Sequence, residues 1–417
     1  MRKKQVLLSF LITFAVMSAA AGIFAFAYAS RQAKNIPAAE ESAPVSSAVS
    51  SAAVPSEEVS SALPELREVK LLMAGDNLLH LPVVNSGWQP DGSYNFDHLF
   101  ANLKDDIQSA DIAVINQETV LGGTEIGLSE YPQFNSPQEV GDAIAAAGFD
   151  VVMHANNHVM DRGFDAIERT MRFWKKYPNI TVVGVNENED EYNNIKTVEV
   201  NGLTLAILSY TDSTNGIPVP QDKPWLVNMT DEEKIAADIA RAKETADFII
   251  ALPHWGIEYS YTPSENQELY ARFMANLGVD LIIGTHPHVL EPIEWIDRKD
   301  GGRTLVYYSL GNFVSNQNES PRMLGGIAEV TIVKAGDEPA YIETAAIEPV
   351  VTHFEAGDLN YGVYKLSQYT DELAARHRLR TAGSYYSDSG HLFGVNWLRK
   401  LCEQVLGEWY TGEPSLD

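Results

Sequence analysis

The sequence predicts an α/β protein built in layers, and three observations point there. Short apolar runs ending in polar clusters alternate with stretches of helical spacing through the first half of the chain. That is the pattern of parallel strands joined by helical crossovers. Asn201-Gly202 separates two apolar runs, Thr197 to Val200 and Leu203 to Tyr210, and Asn-Gly favours a two-residue hairpin turn. This hairpin and the late strands suggest a second, more antiparallel sheet. The chain has 417 residues, 45% hydrophobic and 10% aromatic, enough to fill a sizeable core.

In chain order, residues 1–4 form a basic end, and residues 5–29 carry no charge. Such a length can span a bilayer as a helix, and Ala27-Tyr28-Ala29 also resembles a signal cleavage site. An uncleaved transmembrane anchor and a cleaved signal peptide therefore both stand. Either way the basic end stays inside and the remainder is exported. The expected location is the cell membrane, single-pass with an extracellular domain, or secretion if 1–29 are removed. Residues 30–66 are rich in Ser, Ala and Pro, with no period to bury, and read as a disordered linker. Residues 67–350 are the expected globular domain, and 351–417 a C-terminal extension of turns and one terminal helix.

Within the domain, Val69 to Ala74, Asp111 to Ile115, Phe149 to Met153 and Thr181 to Gly184 read as strands. Residues 98–109, Pro137 to Ala147 and Phe164 to Tyr177 read as helices, the second opening on Pro and followed by Gly148. The hairpin comes next, then helices over Glu232 to Ala246 and Ser264 to Leu277. Strands are expected over Asp247 to Leu252, Leu281 to Ile283, Thr304 to Leu310 and Ile327 to Val333.

The formal net charge is −27. Such a surface repels nucleic acid and anionic membrane faces. Cys402 is the lone cysteine, so an intrachain disulfide and a thiolate metal site are both excluded. It reads as a core residue. A metal site here must use His, Asp, Glu and Asn, which suits Mn, Zn, Fe or Mg.

Five strand ends carry such groups: Asp76; Asn116 and Glu118; Asn156, Asn157 and His158; His254; and His286 with His288. One polar residue after a strand is ordinarily a helix cap. Five together suggest convergence, because sheet topology brings neighbouring strand ends to one edge. Three histidines, two carboxylates and amide oxygens would hold two divalent metal ions, with Glu118 as the shared carboxylate. Asn116 and Asn156 read as braces for neighbouring ligands. Asp161 is either a helix cap or a site residue. Trp255 and Glu258 either line a substrate cleft or serve packing and solvation. Asn312 after Gly311 is either a turn residue or a site contact. His80 reads as a surface loop histidine, and His154 as a hydrogen-bonded core residue.

The segments Gly75-Asp76, Asn116-Gln117-Glu118-Thr119, Asn156-Asn157-His158 with Asp161 and Gly163, His254-Trp255-Gly256, Gly284-Thr285-His286-Pro287-His288 and Ser309-Leu310-Gly311-Asn312-Phe313 occur in that order. Together they resemble the CapA family of capsule and poly-γ-glutamate synthesis, in the calcineurin-like metallophosphoesterase superfamily. The resemblance covers roughly residues 68–335. It implies a four-layer α/β/β/α sandwich with a two-metal site. It matches Asp76, Asn157, His254, His286 and His288 to metal ligands and His158 to the catalytic acid. Two positions depart from the superfamily pattern: Leu78 stands where Asp-x-His has its histidine, and Glu118 replaces the bridging Asp. The implied function is capsule or poly-γ-glutamate biosynthesis, export or release by a membrane-tethered, metal-dependent hydrolase. An anionic polymer and membrane polymer-synthase subunits are the implied partners. An exported phosphoesterase unrelated to capsule and a non-catalytic synthase scaffold are the alternatives.

Overall fold

Among the described residues, fourteen strands form two sheets. They are β1 (Leu66–Asn77), β2 (Ile112–Gln117), β3 (Val151–Met153), β4 (Thr181–Val183), β5 (Lys196–Val200), β6 (Leu203–Thr211) and β7 (Phe248–His254), then β8 (Leu281–Ile283), β9 (Ile293–Asp297), β10 (Arg303–Tyr307), β11 (Asn312–Val314), β12 (Leu324–Ala335), β13 (Tyr341–Glu355) and β14 (Leu359–Lys365). The main helices are α1 (Glu139–Ala147), α2 (Gly163–Trp174), α3 (Glu232–Thr245), α4 (Glu265–Leu277) and α5 (Val395–Leu406). The computed structural model describes residues 64–357, 359–381 and 392–416. The expected anchor or signal peptide, and the linker except its last residues, lie outside the described residues. Among the described residues no helix is long and apolar enough to cross a membrane.

Local chemistry sets the element ends. Asp231 caps α3 by accepting from the Lys234 amide. Ser264 and Gln267 form a reciprocal capping box on α4. The β5–β6 turn places Asn201 at φ 49° and Gly202 at φ 78°, as an Asn-Gly primed turn requires. Residues 98–109 break into two short turns of helix, 97–100 and 104–109, rather than one helix.

The first sheet has eight strands in the order β14-β13-β12-β1-β2-β3-β4, with β11 also paired to β1. The second has six, β5-β6-β7-β8-β10-β9. This corrects the expected distribution of antiparallel pairing. β12 runs antiparallel to β1 from Leu66↔Ala335 to Ala74↔Ile327, so the late strands extend the first sheet. The second sheet is parallel through β6, β7, β8 and β10, with antiparallel strands only at its edges. A strand's own residues do not encode which open edge it joins. The expected boundary at 350 is also corrected: it falls inside β13, and β14 pairs onto that strand.

Side-chain alternation separates two cores. On β6, Leu203, Leu205 and Ile207 join the large core that includes Leu71 and Met73 of β1. Ala206, Leu208 and Tyr210 point the other way, onto Ile235 and Ile239 of α3 and Ala271 and Met274 of α4. The second sheet thus lies between the first sheet and these two helices. Cys402 is buried.

Candidate metal centre

The parallel strands β1, β2 and β3 of one sheet and β7 and β8 of the other deliver their carboxyl ends to one place. Close backbone approach makes this fit. The Asp76 amide donates to the Gly311 carbonyl at 2.9 Å, and a side chain at Gly75 would strike that carbonyl. A side chain at Gly284 would likewise strike the Tyr308 carbonyl and the Trp255 ring. After β8 the backbone turns through His286 at φ 103° and His288 at φ 59°, on either side of Pro287. Left-handed backbone at two non-glycine residues costs about 1–3 kcal/mol each and marks positions held by their surroundings. It lets both imidazoles turn toward the cluster.

His254 Nε2 faces Asn157 Oδ1 at 3.1 Å, His286 Nδ1 at 3.2 Å and Glu118 Oε1 at 3.6 Å. On the other side of Glu118, His288 Nε2 lies 3.6 Å from the same Oε1, and His288 Nδ1 lies 3.0 Å from Asp76 Oδ2. Two ligand triads result, Glu118–His254–His286 and Asp76–Glu118–His288, each with donor atoms within 4.8 Å of one another. Glu118 belongs to both.

Glu118 is fully buried, and neither carboxylate oxygen has a hydrogen-bond partner. An unpaired buried carboxylate is costly, and native structures contain few of them. Burial pushes its carboxyl well above the usual range, with Asp76, Glu258 and Asp161 adding repulsion. Burial, then neighbouring imidazoles, holds His254 well below its ordinary value, and His286 falls to about 4 for the same reasons. Neutral imidazoles around an orphaned carboxylate are a donor set that fits divalent cations.

Neighbouring groups orient the ligands. Thr285 Oγ1 lies 2.9 Å from His254 Nδ1, which leaves Nε2 toward the cluster. Asn116 Nδ2 donates to Asp76 Oδ1 at 2.8 Å, and Asn156 Nδ2 donates to the Gln117 carbonyl at 3.0 Å. Asn312 donates to the carbonyls of Arg322, at 3.0 Å, and His288, at 3.4 Å, so it steadies the strained loop.

A cleft of about 380 Å³ opens beside the cluster, and His80, Tyr131, His158, Glu258, Tyr259 and His288 are among its walls. Two open alternatives close and one expectation changes here. Asp161 is not a cap: it lies 2.7 Å from His158 Nδ1 and accepts from the Phe134 amide at 2.6 Å. Trp255 does not line the cleft: it is buried in the second core, its indole N–H spent on the Tyr308 carbonyl at 3.0 Å. His80 is not a surface histidine. It lines the cleft, its Nδ1 meets the Asn316 amide at 3.3 Å, and burial lowers its pKa to about 4. Its position four residues after Asp76 was the available signal. His154 is buried and accepts from Trp174 Nε1 at 2.9 Å.

The model of the family described as bacterial capsule synthesis protein PGA_cap matches residues 70–317. The chain is 39% identical over 171 residues to the PGA biosynthesis protein CapA of Bacillus subtilis (strain 168), covering 40% of this chain and 43% of that one. It is 35% identical over 188 residues to the capsule biosynthesis protein CapA of Bacillus anthracis, covering 44% of each. The similarity thus spans less than half the length of these relatives. Among solved structures, a 5′-nucleotidase precursor from Thermus thermophilus superposes with TM-score 0.44 at 14% identity, over 68% of this chain and 54% of that one. NAD nucleotidase of Haemophilus influenzae gives TM-score 0.45 at 12% identity, over 82% and 67%. Neither overlap is close enough to carry chemistry across. The family match takes in every member of the cluster from Asp76 to Asn312 and more than half of the chain. This chain belongs to the bacterial capsule synthesis protein PGA_cap family.

Proposed function

We propose that this chain is a metal-dependent hydrolase of metallophosphoesterase type, a four-layer sandwich acting in the synthesis, export or release of an extracellular anionic polymer such as poly-γ-glutamate. The observation that carries this reading is Glu118, a buried carboxylate with no hydrogen-bond partner, shared between two triads of side chains that could hold metal ions. Two divalent cations bound at such a site would make hydroxide available near neutral pH and would offset charge on the attacked group's oxygen. Asp76 and His288 would hold one cation and His254, His286 and Asn157 the other, with the Glu118 carboxylate within reach of both sets. His158, held through Nδ1 by Asp161, gives a proton to the leaving group at the cleft wall. The CapA relatives are named for PGA and capsule biosynthesis, which supports the polymer assignment. The apolar stretch 5–29 supports a position outside the cell, tethered to the membrane beside polymer-synthase subunits. With a net charge of −27, the surface gives a polyanion little to hold, so contact runs through the cations.

The test is metal analysis of the purified chain together with polymer yield and chain length in cells carrying Glu118→Gln or His286→Ala. Bound divalent metal and altered polymer in both variants are expected. Unchanged polymer in both overturns the catalytic reading. Turnover of phosphate esters with Mn²⁺, without any polymer defect, would instead support an exported phosphoesterase.

A further inference from the structure

A second cavity, of about 470 Å³, opens where β13 and β14 meet, on residues the metal cluster does not use. Its walls include His98, His353, Glu355, Asn360, Tyr364 and Arg376. Arg376 Nε donates to Glu355 Oε1 at 2.9 Å, which leaves further guanidinium N–H groups for another acceptor.

His353 is the informative member. Its side chain is only 1% exposed, and Nδ1 meets the Tyr369 hydroxyl at 2.7 Å. Nε2 has no hydrogen-bond partner, and the nearest carboxylate oxygen, Glu355 Oε1, is 3.7 Å away. A buried polar nitrogen left unpaired is costly, and a ligand reaching it would offset that cost.

The charge balance selects the ligand. The walls carry one arginine and one carboxylate, and both lining histidines sit below their ordinary values through burial. The lining therefore has both signs and no net charge. A lone anion meets Glu355 and a lone cation meets Arg376, whereas a group bearing both charges is matched by each. We infer that this cavity binds the zwitterionic head of an α-amino acid, its carboxylate on Arg376 and its ammonium between Glu355 and His353 Nε2. In a γ-linked glutamate chain only the amino-terminal unit has a free amine beside its α-carboxylate. The cavity would then hold the chain's amino end, a step that rests on the polymer reading above. A hydrogen-bonded chain links it to the metal cleft: Tyr361 lines this cavity and donates to Asn316 Oδ1 at 3.0 Å, and the Asn316 amide donates to Nδ1 of His80, which lines that cleft.

Calorimetric titration of the full purified chain with glutamate, γ-glutamyl-glutamate and N-acetylglutamate tests this. Glutamate and the dipeptide are expected to bind, and exhaustive chelation should leave that binding unchanged. N-acetylation of the probe, Arg376→Gln and Glu355→Gln each remove a charge-assisted contact, so each should weaken binding about tenfold or more. Equal binding of N-acetylglutamate, unchanged binding in either variant, loss on chelation, or no binding at millimolar probe overturns the assignment. Glutamate binding with refusal of the dipeptide would keep the cavity's ligand class and remove its link to the polymer. Should a variant fail to melt cooperatively, the N-acetyl comparison on the unaltered chain decides alone.

Discussion

Glu118 is where stability and the proposed metal binding pull in opposite directions. Without a cation its carboxyl is buried beside Asp76 and Glu258 and unpaired. With cations the same isolation becomes an advantage, because nothing else competes for its oxygens. Glu118→Gln should therefore melt at or above the unaltered protein when both are metal-free, and below it when Mn²⁺ is saturating. Thermal melts with and without Mn²⁺ check the crossing, and parallel curves would refute it. Thr285 offers a gentler probe. Its hydroxyl fixes the His254 ring, so Thr285→Val should weaken Mn²⁺ affinity about 10–100-fold, as loss of a ligand's hydrogen-bond partner does, with little change in fold. Competition with a chelating dye measures this. The candidate cluster itself is legible in the sequence, because each member follows an apolar run. His80, Asp161 and Trp255 are not, because their roles depend on what stands opposite them. Phe134, Asn316 and Tyr308 supply those partners from far along the chain.

At the scale of elements, the hairpin and the capped helices declare themselves because their causes are local. The Asn-Gly turn and the Ser264–Gln267 box act within a few residues. The long strand β13 does not, since its first half mixes exposed residues such as Glu343 and Thr344 with partly covered ones such as Ile342 and Ala345. Helix α4 shows how a local device becomes tertiary. Gln267, already part of the cap, donates to Glu291 Oε2 at 2.5 Å on the segment after β8. Burial pushes the Glu291 carboxyl up to about 8, the Gln267 hydrogen bond opposing this in part. A carboxyl raised in the folded state binds its proton more tightly there than in the unfolded chain. Its stabilisation is complete below about 4.5 and is lost as pH climbs toward 8. The slope is at most about 1.4 kcal/mol per pH unit. Glu291→Gln should flatten this part of the stability profile, matching the unaltered protein near pH 4.5 and exceeding it near pH 8. Urea denaturation across that range, metal-free throughout, would show it, and parallel profiles would count against it.

For the whole molecule, the family match ends at residue 317, yet the first sheet continues through β12, β13 and β14. Nothing in the residues of 351–417 ties them visibly to the domain, because strand pairing across such distances leaves no local mark. The structure supplies the tie. Val351, Phe354, Val363 and Leu398 are all buried in the large core. Each contributes about 1.5–3 kcal/mol on burial, and the whole stability of a domain is commonly only about 5–15 kcal/mol. The link reaches the metal cluster. Thr352 Oγ1 donates to the Phe313 carbonyl at 2.9 Å, and the neighbouring Asn312 steadies the loop of His288. A chain ending at 350 should therefore be recovered unfolded or aggregated. It should show no cooperative melt and no Mn²⁺-dependent shift, although every cluster residue is still present. Such a truncated chain that stays soluble, melts cooperatively and gains stability with Mn²⁺ would mean that the centre is held by the first 350 residues alone, and that β14 and α5 are an independent attachment.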